Sequence, residues 1–138
     1  MSDLVGLIRS LSNAYGPPGN EEEVRKILRN ELEGYADDVR VDKLGNIFFS
    51  HHGEKGYPRV MLAAHMDEVA LMVTFIEKNG FLRFHPVGGV TSNVLPGHTI
   101  LLRGVKGDLK GVIGTKPPHL MKEEERNKPI SMEDLFID

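Results

Sequence analysis

No cysteine occurs in the 138 residues, so no disulfide braces the fold and no thiolate serves as nucleophile or metal ligand. Any metal held here takes histidine, aspartate or glutamate. No run of residues approaches the ~20 consecutive apolar positions of a membrane span. The opening MSDLVGLIRS is too short, and too polar in its rhythm, for a secretory leader. Neither sign of charge dominates. The formal net charge is -3, which gives no reason to expect nucleic acid or an anionic membrane as a partner. These absences describe a cytoplasmic protein with length enough for one ordinary domain or two small ones.

What is present begins with two helical patterns. Leu4, Leu7, Ile8 and Leu11 recur at helical spacing, and the two prolines of YGPPG (15–19) end the pattern. Asn20 is placed to cap a second helix with Glu23 as its capping-box partner. Val24, Ile27, Leu28, Leu32 and Tyr35 give that helix one apolar face. DDVRVDKLGNIFFS alternates and turns at Leu44-Gly45-Asn46, which predicts a β-hairpin. RVMLAA (59–64) is a nearly continuous apolar run and reads as a strand buried on both faces.

After residue 68 the texture becomes β-rich. Two runs flank Lys78-Asn79-Gly80, and HTILLRG and LKGVIGT flank a second turn. The sequence therefore divides into an α/β unit, 1–68, and a small all-β module, 69–138, expected to form a partial barrel. The polar stretch KPPHLMKEEERNKP (116–129) is long for a loop in a compact domain, so a mobile or functional loop is expected there. The final MEDLFID is an apolar, strand-like run with no turn or cap after it. It suggests a truncated chain with an open sheet edge at Asp138.

Chemistry concentrates in RVMLAAHMDEVALMV (59–73), where His65, Asp67 and Glu68 interrupt apolar residues. Ionisable groups in apolar surroundings cost several kcal/mol unless paired or bound to metal. His-x-Asp at the carboxyl end of a strand can present one ring nitrogen to a metal while the carboxylate fixes the imidazole's orientation and tautomer. The same pair also suits a simple strand cap. Two residues are no metal site by themselves, since catalytic zinc takes about three protein ligands and an open position.

Wider segments carry more information. AHMDE, PVGG, LPG and GVIGTKPPH follow one another in order, within a frame running from LIRSLSNAYGPPGNEEEVRKIL to MEDLFID. The chain resembles along its whole length the two-metal aminopeptidases that include glutamyl and deblocking aminopeptidases and the TET particles, often labelled cellulases or endoglucanases. The resemblance implies an α/β class: part of a mixed-sheet metallopeptidase catalytic domain, interrupted after the H-x-D strand by a β-barrel-like dimerisation module. It implies that His65 ligates one of two zinc or cobalt ions and that Asp67 orients His65. Peptide substrates, hydrolysis at the N-terminal peptide bond by a metal-activated water, and assembly into dimers and a dodecamer follow from it too. The family's bridging aspartate, general-base glutamate and remaining ligands are expected beyond residue 138. The 138 residues alone are thus expected to be inactive, and a non-catalytic oligomerisation or binding module is the alternative. Glycoside hydrolysis is disfavoured, because Asp67 and Glu68 are adjacent and on a strand would face opposite sides.

The other histidines carry weaker signals. His51 and His52, beside GEKG, read as solvated surface, and His85 and His98 as structural residues flanking β turns. His119, at the start of the polar loop, either anchors it or reaches a neighbouring subunit's site. KEEER reads as a solvated face.

Overall fold

The computed structural model describes residues 3–121, 123 and 128–138. The chain divides into two compact units, Met1–Glu68 and Val69–Asp138.

In the first unit α1 spans Leu4–Asn13, with the Asp3 carboxylate accepting the Val5 amide proton at its start. Pro17 and Pro18 interrupt the chain, and α2 follows over Glu22–Leu32, ending in a single 3-10 turn, Glu33–Tyr35. The expected Asn20 cap is not formed. The Asn20 amide donates to the Pro17 carbonyl in a tight turn, Glu21 takes the N-cap position, and the Glu23 carboxylate accepts the Tyr15 amide proton instead. Val24 is the buried residue of α2, while Leu32 and Tyr35, expected on the same face, are exposed.

The expected hairpin is present as β1 (Asp38–Val41) and β2 (Ile47–Ser50), antiparallel with Val41 opposite Ile47. Its turn is organised by Asp42, whose carboxylate accepts the amides of Leu44 and Asn46 and the Asn46 side-chain amide. Gly45 sits at φ +91°, a conformation costly for any residue with a Cβ. Arg25, largely buried on α2, donates to the Gly45 carbonyl and to the carboxylates of Glu21 and Glu22. One guanidinium thereby fastens α2 to the hairpin turn.

The run 59–64 departs from expectation. It forms no strand, and Val60, Met61 and Leu62 are 81, 84 and 95% exposed. A strand is defined by its partner, and no described strand pairs with this run. Apolar composition signals a demand for burial without supplying the neighbour that meets it.

The second unit is a five-stranded antiparallel sheet. β3 (Ala70–Ile76) and β4 (Leu82–Val87) pair around a turn, with a register shift between Val73 and Phe75. β5 (Thr99–Gly104) and β6 (Gly107–Gly114) form a second hairpin, and β7 (Phe136–Ile137) completes the order β3-β4-β7-β6-β5. Phe84, Ile113, Leu135 and Ile137 form the core, with Leu71, Leu82, Ile100 and Leu102 packed against it. The expected open edge at Asp138 is overturned. β7 lies inside the sheet, and Asp138 exchanges both backbone hydrogen bonds with Val112. The outermost strands are β3 and β5. The class is α/β, as expected; the described strands form two sheets, and every described strand pair is antiparallel. Of the polar stretch 116–129, residues 122 and 124–127, most of KEEER, lie outside the described residues.

Candidate functional site

His65 follows the unpaired run 59–64, and its imidazole is exposed, at 85% of the side chain. Its Nδ1 lies 3.0 Å from the backbone oxygen of Asp67 and 3.3 Å from that residue's carboxylate Oδ1. Both are acceptors, so Nδ1 carries a proton, which in the neutral ring leaves the lone pair on Nε2. Nε2 has no partner among the described residues. Asp67, expected to orient His65, lies beside the ring with its carboxylate, and its own carbonyl is the nearer acceptor, which residue spacing could not reveal.

His65, Met66, Asp67 and Glu68 form one wall of an open cleft of about 350 Å³, faced by Leu11, Ser12 and Ala14 at the end of α1, and Val24 and Leu28 of α2. The wall is tied to the opposite side by the Glu68 amide, which donates to the Gly16 carbonyl at 2.9 Å. Asp67 and Glu68 are not on a strand, so the expectation that they face opposite sides of one does not apply.

A larger hollow, about 450 Å³, lies between α2 and the β1–β2 turn. It holds no histidine, and most of its cations are engaged in ion pairs, Arg25 with Glu21 and Glu22, Lys26 with Glu22, and Arg29 with Glu33. The His65 cleft carries the chemistry.

The remaining histidines do not gather there. His51 and His52 are exposed as expected, but share a partner not foreseen: each Nδ1 lies within 3.3 Å of Asp37 Oδ2. The His52 backbone amide, with both rings adding to it, holds the Asp37 carboxyl below its usual range. Both rings turning the same atom toward one oxygen is ion-pair geometry. His85 is exposed on β4 opposite Met72, and His98 contributes backbone bonds to Leu95 and Ile113. His119 lies in a 3-10 turn, Pro118–Leu120. In PVGGV (86–90), the Val90 amide donates to the Gly88 carbonyl and closes a backbone turn.

Among the described residues, no three histidine, aspartate or glutamate side chains are grouped to hold a metal ion. His65 fits a divalent cation as one donor: in its neutral form the ring has its proton engaged at Nδ1 and its lone pair open to solvent. The rest of a ligand set is not supplied by the described residues.

Residues 45–138 match the family model described as M42 glutamyl aminopeptidase. The chain belongs to the M42 family. It is 37% identical over 134 residues to the lysyl aminopeptidase of Pyrococcus furiosus, a match covering 96% of this chain and 38% of that protein. Its fold superposes on a TET aminopeptidase from a marine sediment thaumarchaeote with TM-score 0.91 and 42% identity, covering 97% of this chain and 38% of the other. The TET1 peptidase of Pyrococcus horikoshii, which assembles into a tetrahedron or a large octahedral shell, superposes with TM-score 0.80 and 36% identity, covering 97% and 39%. The chain thus spans under two fifths of the length of these relatives.

Proposed function

We propose that this chain supplies the N-terminal portion of a metal-dependent aminopeptidase that removes N-terminal residues from peptides. His65 is the ligand of one of two divalent ions, zinc or cobalt, and Asp67 is the residue that holds the ligand in place. The observation that carries this reading is the His65 ring itself: Nδ1 engaged by Asp67, Nε2 free at a cleft. Membership of the M42 family supports the class of reaction.

The residues present have defined tasks. Asp67 accepts the Nδ1 proton through two oxygens, which selects the tautomer whose Nε2 lone pair faces outward. Its negative charge favours a cation held on that lone pair. When bound, the ions supply activation of water and charge stabilisation at the scissile carbonyl. The general base and the remaining ligands come from residues other than those described, since one imidazole cannot hold two ions. The sheet of Val69–Asp138 is read as a β-barrel-like dimerisation module, in keeping with the assemblies of the TET relative, and the complete enzyme as a homo-oligomer of dimers up to a dodecamer.

The test is direct. The purified 138-residue chain, given leucine or glutamate anilides with added zinc or cobalt, is expected to show no turnover. Robust turnover overturns the partial-site reading. The alternative, a non-catalytic oligomerisation or binding module, draws on the absence of a three-residue ligand group among the described residues. A longer reading frame encoding the missing acids excludes it.

A further inference from the structure

We propose that Gly16 is the positioning residue of the His65 centre: its carbonyl and its lack of a side chain together seat residues 65–68 against α2. The proposal rests on the metal reading of His65 and extends it to a residue that touches neither ring nor cation.

Residues 59–68 have no strand ladder to fix them. Among the described residues, their one backbone hydrogen bond runs from the Glu68 amide to the Gly16 carbonyl, one residue beyond Asp67. Gly16 sits between two surfaces. A Cβ there would fall 2.7 Å from Val24 Cγ2 and 3.6 Å from the Met66 carbonyl oxygen. Val24 is 5% exposed within α2, and its β-branched side chain strongly prefers one χ1 rotamer there, so its Cγ2 does not turn aside cheaply. Any side chain at 16 therefore drives the 15–17 segment away from α2, and the carbonyl that holds Glu68 moves with it. The bond from the Tyr15 amide to the Glu23 carboxylate adds an anchor between this segment and α2. A continuous path leads from α2 through Tyr15 and Gly16 to Glu68, Met66 and then His65. A ligand carried on irregular backbone is only as well aimed as the bonds that tie that backbone to a helix.

The test uses the 138-residue chain with zinc ion alone as the probe, followed by site-resolved NMR of the His65 ring and by amide exchange at Glu68. Gly16→Ala is expected to speed exchange at Glu68 by up to about tenfold and to weaken the His65 zinc response by about tenfold. Gly16→Ala/Val24→Ala, which removes the colliding methyl, is expected to restore both to within about twofold. Ile113→Ala, in the core of the other unit, is expected to lower Tm without moving the His65 response. The proposal is overturned if Gly16→Ala keeps the unsubstituted zinc response, or if Ile113→Ala weakens it equally, since general loosening would then account for both. Should Gly16→Ala fail to fold, the scalar coupling across the Glu68 N–H to Gly16 C=O bond in the unsubstituted chain decides: its absence overturns the clamp. The two failures are separable. No zinc response at His65 in the unsubstituted chain overturns His65 as a zinc donor within these 138 residues and the clamp built on it, whereas a response indifferent to Gly16→Ala sinks the clamp alone.

Discussion

The guanidinium of Arg83 donates through Nη1 to the carbonyl oxygen of Leu135 at 3.2 Å. The same nitrogen reaches the Glu133 carbonyl at 3.0 Å, and Nε pairs with the Glu77 carboxylate at 2.6 Å. β4 and β7 match directly only at Leu82 and Ile137, so this fork supplies much of what holds the last strand beside β4.

Arg83→Ala is therefore expected to destabilise the Val69–Asp138 unit by about 1–2 kcal/mol. That is the low end for bonds from a charged donor, because the side chain is 39% exposed and partly screened. Arg83→Lys should recover less than half of the loss, since a single ammonium cannot span Glu77 and two carbonyls at once. Urea denaturation of the three proteins measures both effects.

Leu135 and Ile113 are each 1% exposed and sit on neighbouring parts of the same core. Either residue replaced by alanine should cost about 2–5 kcal/mol, the transfer of the lost methyl and methylene groups plus the cavity left behind. The Ile113→Ala/Leu135→Ala pair should depart from additivity, because both truncations enlarge one shared space. A double-mutant cycle in urea measures that departure.

The sequence was most legible where the deciding interactions are local. The apolar spacing of Leu4 to Leu11, the prolines at 17 and 18, and Gly45 in its turn each act within a few residues, and α1, α2 and the β1–β2 hairpin follow from them. The polar ends of interactions were less legible: Asn20 had the right chemistry for a cap, but the Pro17 carbonyl took its amide and Glu23 was drawn to Tyr15. Non-local pairing was hidden altogether. RVMLAA has a strand's composition and no partner strand among the described residues, while two residues of MEDLFID, Phe136 and Ile137, reach the inside of a sheet. At the candidate site, His65 and Asp67 were visible as a motif. Gly16 was not, because its importance lies in a contact fifty residues away in the chain.

The Asp42 turn should respond to acid. Its carboxyl is held below the ordinary aspartate value chiefly by the Asn46 side-chain amide, with backbone amides adding to it. A depressed folded-state value means the stabilisation is fully present above the unfolded value, near ~3.9, and is lost as pH falls through the lower folded one. The amides of Leu44 and Asn46, which donate to this carboxylate, should lose exchange protection in that window. Asp42→Ala should show the low-pH behaviour at neutral pH. Exchange rates at the two amides against pH check both, and protection unchanged by acid or by substitution would rule out the carboxylate as the organiser of the turn.

Replacing Asp67 separates its two contributions to His65. Nδ1 lies closer to the Asp67 backbone oxygen than to the carboxylate, 3.0 against 3.3 Å, and the backbone acceptor survives any substitution. Asp67→Ala should therefore leave the ring in the same tautomer and weaken zinc at His65 by about tenfold, the low end of the range for losing a carboxylate behind a histidine ligand. Asp67→Asn keeps a side-chain oxygen and loses the charge. If charge dominates, it should match Asp67→Ala, and if orientation dominates it should fall nearer the unsubstituted chain. His65→Ala should abolish the response at this position. NMR of the His65 ring reads both the tautomer and the zinc response in the Asp67 variants, and a switch of the proton to Nε2 in Asp67→Ala would show that the carboxylate alone sets the tautomer.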